Sequence, residues 1–252
     1  MTNPSIKHLM AGAVLAAVAV TALPAAASNV AIVKGGFYTS YLHDSLVAAG
    51  ETVTEISSYS AASLAAYDAV IHYGNSFTDT VALDAYVNGG GRLILTPWSG
   101  LNYAVPADLQ VFDNGGGADF QTSFPGATIL APGDSLLAGV NFPDAHSLTI
   151  GRISRIGFAA GAVGVANYGD GDAFLGHRNV GAGKVFGINL HLITSDSNPQ
   201  VAATPWATRV VVNAIGGGAA VPEPTSWALM LVGFGGIGSA LRAKRRWATA
   251  TA

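Results

Sequence analysis

The sequence contains no cysteine among its 252 residues, and this absence excludes several kinds of chemistry. The chain cannot form disulfides, bind metals through thiolates or use a cysteine nucleophile. Charged residues are also scarce, at 11% of the chain. Of the 12 basic residues, one precedes residue 28 and four follow residue 224, so the segment between holds seven against all 15 acidic residues. The resulting net charge of −8 excludes nucleic acid as an expected partner, because its phosphates would be repelled.

The first 27 residues have the organisation of a secretory signal peptide. Lys7 precedes an apolar run from Leu9 to Leu23, and small residues follow at Ala25 and Ala27. This order predicts export and cleavage after Ala27 by signal peptidase. A retained membrane anchor is the alternative, although the apolar run is shorter than the ~20 residues that a span requires.

The C-terminal end combines three features in a fixed order. Pro222-Glu223-Pro224 comes first, and residues 227–241 follow as an apolar stretch that we predict to be a transmembrane helix in the inner membrane. A basic cluster ends the stretch, at Arg242, Lys244, Arg245 and Arg246. Because basic residues remain on the cytoplasmic side, the preceding domain is predicted to lie outside that membrane.

This tail, over residues 221–246, resembles the PEP-CTERM sorting signal of Gram-negative bacteria. The resemblance implies recognition by an exosortase, a membrane transpeptidase that processes the chain near Pro222-Glu223-Pro224 and releases or reattaches the domain outside the inner membrane. It further implies a membrane-anchored precursor whose domain reaches the cell surface or extracellular matrix, since family members are commonly linked to exopolysaccharide and biofilm. An unprocessed C-terminal anchor is the alternative, and the extra residues 247–252 depart from many family tails.

Between the two ends, residues 28–216 carry the pattern of one α/β domain, and residues 217–221 form a linker. The early part alternates short apolar runs with helical segments, which predicts a mostly parallel sheet with helices on both faces. After Ser147 the strand-like runs are separated by turn-like segments, which predicts added β-hairpins. A final helix is predicted over Thr204–Ile215.

Three segments resemble the class I glutamine-amidotransferase-like fold, in particular its ThuA-like branch. Gly89–Leu95 is similar to the family's GGG-[RK]-L-[IL] segment, and Gly181–His191 to its G-x-G-[KR]-V strand with a later His. Asp134–Val140 is similar to a third segment, with Asp-Ser in place of His-Pro. The resemblance implies a flavodoxin-like sheet.

Catalytic members of that fold carry a Cys on the turn after the central strand and a His after a later strand. Here the turn is Pro97–Gly100, without a Cys, so the family's thioester chemistry is excluded. Ser99 with His191 as base is a candidate pair for a hydrolase of carbohydrate or ester substrates, and Asp196 is a possible orienting carboxylate. The favoured interpretation is a turn serine and a strand-end histidine without catalytic function.

Two further patterns are candidates for binding. Asp170 and Asp172 have a spacing that suits calcium, but the full loop pattern is absent and a solvated turn is favoured. The histidines in strand-like segments lack zinc-site spacing; they are His72, His177 and His191.

Aromatic residues surround a long glycine-rich segment; they are Trp98, Tyr103, Phe112 and Phe120. They indicate either a carbohydrate-binding module or, preferably, a loop held against the core. No cofactor is predicted, because the glycine-rich turns do not match a phosphate-binding motif. The sequence thus predicts a non-enzymatic, exported structural or interaction protein of the envelope or exopolysaccharide matrix.

Overall fold

The computed structural model describes residues 27–34, 40–73, 79–96, 105–113, 119–192 and 205–216. Several predicted sites lie outside these ranges, namely Ala25, Ser99, the sorting motif, the helix over 227–241 and the basic cluster. Within the ranges, no helix is both long and apolar enough to cross a membrane. Residues 25–220 form one compact unit.

The described part of the chain contains ten strands and four α-helices. The strands are β1 (Asn29–Lys34), β2 (Thr52–Ile56), β3 (Ala69–Tyr73), β4 (Arg92–Leu95), β5 (Asp119–Phe124), β6 (Ala127–Ile129), β7 (His146–Ser154), β8 (Val163–Tyr168), β9 (Ala173–Val180) and β10 (Gly183–Ile188). The helices are α1 (Ser40–Ala48), α2 (Ala61–Leu64), α3 (Thr80–Asn88) and α4 (Pro205–Ile215). A short 3-10 turn lies at Ser135–Leu137.

Eight strands form one sheet, in the order β2-β1-β3-β4-β10-β9-β8-β6. The first five are parallel to one another, whereas β9, β8 and β6 are antiparallel additions. The parallel part therefore has the flavodoxin-like order, with β10 in the place of the fifth strand. The prediction of a mixed α/β domain with a large, mostly parallel sheet is confirmed.

The inner parallel strands, β1, β3, β4 and β10, are buried on both faces, whereas the edge strand β2 is partly exposed. In β1, Val30 and Ile32 pack in one hydrophobic cluster and Ala31 and Val33 pack in another, because successive side chains point to opposite faces. The first cluster contains α1 and α4, and the second contains α2 and α3. Burial on both faces explains why these strands are continuous apolar runs in the sequence.

Local chemistry fixes the ends of the helices. The Asp79 carboxylate accepts a hydrogen bond from the backbone N–H of Ala82 at 2.8 Å and so caps the start of α3. Gly216 follows the last turn of α4 with a φ of +95°, a conformation that favours glycine. Arg92, the first residue of β4, donates from Nη1 to the carbonyl oxygen of Ala214 at 2.9 Å. The end of α4 is therefore held at the amino end of the parallel strands.

Strands β5 and β7 form a separate two-stranded antiparallel sheet. The sequence indicates only a short strand within β7 and mainly loop at β5. β5 alternates little, and Phe124 is its one fully buried residue. Its conformation depends on pairing with β7, which a local apolar pattern does not encode.

Candidate functional site

Open α/β sheets bind ligands beyond the carboxyl ends of the strands, next to the point where the strand order reverses. In this sheet β1 has β2 on one side and β3 on the other, so the reversal lies between β1 and β3. Tyr73 is the last residue of β3, and His191 follows the end of β10. We call the part of the site formed by Tyr73, His191 and Phe120 the strand-end site.

Tyr73 and His191 are in direct contact although 118 positions separate them in the chain. The Tyr73 hydroxyl lies 2.8 Å from Nε2 of His191, and the two rings meet edge to face at 5.5 Å. Burial raises the pKa of the Tyr73 hydroxyl well above its ordinary value, so it keeps its proton. The protonated hydroxyl can therefore donate a hydrogen bond to a ring nitrogen of His191 that carries no proton.

The two-stranded sheet of β5 and β7 forms one wall of this site. The backbone N–H of His191 donates to the carbonyl oxygen of Gly151 at 3.0 Å, which fixes the position of the histidine against β7. The Phe120 ring meets the imidazole edge to face at 6.1 Å and remains 46% exposed. A Cβ at residue 151 would overlap the Phe120 ring, so glycine there permits the approach. The site thus presents an aromatic face beside a hydrogen-bonding group.

A second histidine lies beneath the same edge. His72 is the penultimate residue of β3, is fully buried, and meets the Tyr59 ring edge to face at 6.0 Å. Burial lowers the pKa of His72 to about 3, because the charged form would lose its hydration. The imidazole of His72 is therefore neutral in the folded protein near neutral pH.

Of the candidate pair Ser99 and His191, the structure describes only His191. β10 pairs with β4, with Gly187 opposite Leu95, so His191 follows the strand next to β4. Ser99 comes four positions after the end of β4, and both it and Asp196 lie outside the described residues. Their contact with His191 therefore stays a prediction.

The structure gives Asp170 and Asp172 a different partner from those that the sequence indicates. The side chain of Arg152 is only 3% exposed; its Nη1 donates to Asp172 Oδ2 at 2.6 Å and its Nη2 donates to Asp170. Nε of Arg152 donates to the carbonyl oxygen of Ser123 at 3.0 Å, and the guanidinium lies over the Tyr168 ring at 4.5 Å. Residues 169–171 form an exposed turn, and the two carboxylates that flank Gly171 neutralise the buried guanidinium of Arg152.

The described residues offer no cluster of side chains suited to a metal ion. Among these residues, no group of three or more His, Asp or Glu side chains is arranged to hold one. His177 bonds through Nε2 to Asp134 Oδ2 at 2.9 Å, and the Asp134 carboxylate also accepts from the backbone N–H of Leu136 at 2.9 Å. Burial raises the pKa of Asp134, but the backbone N–H of Leu136 and the side chains of His177 and Lys184 together lower it by more. The pKa of Asp134 therefore lies below its ordinary value. This contact anchors the 3-10 turn to β9.

The aromatic residues near the glycine-rich segment differ in position. Phe112 is buried and packs beside Phe158 with ring centroids 6.0 Å apart, which is the core-packing arrangement that the sequence favours. Phe120 is instead half-exposed at the strand-end site. Trp98 and Tyr103 lie outside the described residues.

Comparison with known proteins separates the tail from the domain. Residues 220–246 match the PEP-CTERM protein-sorting motif. This motif implies an exported protein with a membrane-anchored sorting signal that an exosortase recognises in Gram-negative bacteria. A search of curated protein sequences found no match to the chain.

Solved structures match the domain at low sequence identity. A ThuA-like protein from Parabacteroides merdae has a TM-score of 0.60 at 11% identity, covering 78% of this chain and 94% of that one. A ThuA-like protein from Bacteroides uniformis has a TM-score of 0.52 at 10% identity, covering 81% and 97%. The cytoplasmic protein STM1381 from Salmonella typhimurium has a TM-score of 0.58 at 14% identity, covering 75% and 98%. The chain therefore joins a domain with a fold similar to that of ThuA-like proteins to a PEP-CTERM protein-sorting motif at residues 220–246.

Proposed function

We propose that the chain is a component of the cell envelope or exopolysaccharide matrix, delivered there by exosortase sorting. In this proposal signal peptidase cuts after Ala27, and the apolar segment 227–241 holds the precursor in the inner membrane. The exosortase then processes the chain near Pro222-Glu223-Pro224 and releases or reattaches the domain outside. The observation that carries the proposal is the match of residues 220–246 to the sorting motif.

The α/β domain acts in this proposal by binding rather than by catalysis. The absence of cysteine removes the thioester chemistry of the amidotransferase-like fold. The contact between Tyr73 and His191 supports a binding role, because a protonated phenol at the imidazole occupies the nitrogen that a general base would need. Half-exposed Phe120 beside His191 supplies an aromatic face and a hydrogen-bonding group, a combination that suits a sugar ring.

A hydrolase using Ser99 and His191 is the second candidate function. The adjacency of β4 and β10 favours it, because the turn that contains Ser99 and the residue His191 follow neighbouring strands. The two functions differ in outcome: a binding domain retains polysaccharide without turnover, whereas a hydrolase converts it.

The sorting proposal is tested by replacing Pro222-Glu223-Pro224 with three alanines in the producing cells. We expect the variant to retain its C-terminal tail, and therefore the larger mass, and to remain in the inner membrane. The unaltered chain should lose the tail. Mass spectrometry of the mature protein reads both ends at once. Replacing Gly217 and Gly218 with alanine is the matched control and should leave processing unchanged. Equal mass and location for the motif variant and the unaltered protein would falsify exosortase processing.

The binding proposal is tested with mature protein recovered from the cells. Pull-down on extracted exopolysaccharide should retain the protein, and Phe120→Ala should weaken retention while Val81→Ala, an exposed apolar position on α3, leaves it unchanged. Sugar and ester release should stay at background. Turnover that Ser99→Ala or His191→Ala abolishes would instead establish the hydrolase.

A further inference from the structure

A cleft between α2 and α3 opens at the amino end of the parallel strands, at the opposite end of the sheet from the strand-end site. Its volume is about 380 Å³. Small residues form its sides: Ala61 of α2, Ala65 directly after that helix, and Ala85 of α3. Tyr67, Asp68 and the segment Gly89–Gly91 complete the lining. We call this the α2–α3 cleft.

The floor of the α2–α3 cleft is fixed before any ligand binds. The Tyr86 hydroxyl donates to the carbonyl oxygen of Tyr67 at 3.2 Å and accepts from the backbone N–H of Arg92 at 3.3 Å. A Cβ at residue 91 would overlap the Tyr86 ring, so the ring rests directly on the backbone of Gly91. Burial raises the pKa of Tyr86 to about 12, although the Arg92 hydrogen bond acts against it. A preformed cavity of this kind is typical of small-ligand sites.

The lining of the cleft includes backbone carbonyl groups at the end of α3 and carries negative charge. Asp68 accepts the backbone N–H of Asn29 with Oδ2 at 2.8 Å, and its Oδ1 has no hydrogen bond from the residues that the structure describes. The C-terminal end of α3 lies at Gly89–Gly91 and adds the negative end of the helix dipole. Among the residues that the structure describes, no basic one lines the cleft. The excess of acidic residues in the domain has the same sign.

We propose that the α2–α3 cleft binds an amino-sugar unit of a matrix polysaccharide. The ligand's ammonium group bonds to the exposed carboxylate oxygen of Asp68, its hydroxyls donate to the backbone acceptors, and its ring packs on the half-buried Tyr67. A volume of about 380 Å³ lies at the small end of ligand pockets and suits one or two sugar rings. This inference rests on the proposed matrix function and names the class of ligand for a site separate from the strand-end site.

The charge of the cleft makes the proposal selective. A uronic-acid unit of similar size would bring its carboxylate against Asp68 and the end of α3, and we expect it to be rejected. An N-acetylated unit lacks the ammonium charge and should bind more weakly than the free amine. Added salt should weaken binding of the amine, because the contact with Asp68 is exposed and is screened.

Calorimetric titration of the mature protein with a β-linked glucosamine hexamer tests the inference. The N-acetylated hexamer and a glucuronate oligomer are the comparison ligands. Asp68→Asn keeps an oxygen for the N–H of Asn29 but removes the charge, and should weaken glucosamine binding about tenfold or more. Ala85→Leu and Ala61→Leu each place a larger side chain in the cleft at an exposed helix position and should do the same.

Asp44→Asn is the matched control. It removes the same charge from α1, on the other face of the sheet, where the Asp44 side chain is 77% exposed. We expect glucosamine affinity equal to that of the unaltered protein. Equal affinity for Asp68→Asn and both leucine variants overturns the inference, as does preferential binding of the glucuronate oligomer. Polysaccharide binding that responds to Phe120→Ala but not to the cleft variants leaves the proposed function standing and refutes the cleft alone.

Discussion

Acidification should destabilise this protein through the buried imidazole of His72. His72 is fully buried, and its pKa falls from an ordinary 6.5 to about 3 in the folded state. Between these values the unfolded chain binds a proton that the folded protein does not bind. Stability therefore rises with pH through this window and is lost as the pH falls from about 6.5 towards 3.

The size of the effect follows from the two pKa values. Linkage gives a loss of about 2 kcal/mol between pH 7 and pH 5 and about 3 kcal/mol by pH 4. Above pH 4 the folded-state pKa contributes almost nothing to these numbers, so they depend mainly on the ordinary value of an unfolded histidine. Against a typical stability of about 5–15 kcal/mol, a loss of this size is readily measured.

The assay is guanidinium unfolding at pH 7, 6 and 5, followed by tryptophan fluorescence. His72→Leu removes the titrating group with little change in volume, and its stability should lose about 2 kcal/mol less between pH 7 and pH 5 than the unaltered protein. Each protein is compared with its own value at pH 7, so a general cost of the substitution cancels. His43→Leu, at a partly exposed position on α1, should keep the full pH dependence. The reasoning is refuted if His72→Leu retains the pH dependence of the unaltered protein.

Two further substitutions test contacts that position the sites. Asp172→Asn removes one of the two carboxylates that neutralise buried Arg152, and should lower the free energy of unfolding by about 3 kcal/mol or more. Asp119→Asn, which faces the exposed Arg155, is the control and should lower it by less than about 1 kcal/mol. Equal losses in denaturant titrations would contradict the assignment. Gly151→Ala should lower the stability by about 1–3 kcal/mol and weaken polysaccharide retention, because its Cβ overlaps Phe120; unchanged retention would separate that ring from binding.

The parts of the fold that the sequence predicts are those with local causes. β1, β3 and β4 are continuous apolar runs because both of their faces are covered, and α3 ends where glycines follow it. β5 is different, because most of its residues are exposed and its pairing with β7 brings together positions far apart in sequence. Such pairing depends on tertiary structure and leaves little local pattern.

The strand-end site shows the same division. The position of His191 after a late strand follows from the resemblance to the amidotransferase-like fold, and the structure shows that this strand, β10, lies beside β4. In the sequence, Tyr73 resembles a core residue at the end of an apolar run. Its hydroxyl meets His191 only because the fold places β10 two strands away from β3. The signal in the sequence was a polar-tipped aromatic at the carboxyl end of a strand next to the reversal of strand order.

The ion pairs of Arg152 could not be predicted from the sequence either. The spacing of Asp170 and Asp172 suits a cation, but it does not identify that cation as Arg152. Here the cation belongs to the chain itself and comes from β7. Pairing of distant charges is set by the fold, so a carboxylate pattern alone could not separate a metal site from an internal salt bridge.

The contact between Arg92 and the end of α4 fixes where the domain can be joined to anything else. β1 begins, and α4 ends, at the same edge of the sheet, so both chain ends of the domain emerge beside the amino ends of the parallel strands. A strand such as β4, with four residues, separates that edge from the strand-end site by about 13 Å. A graft made after Gly216 would leave Tyr73, His191 and Phe120, at the opposite edge, unobstructed. The domain can thus be coupled through one edge of the sheet while the strand-end site stays accessible at the other.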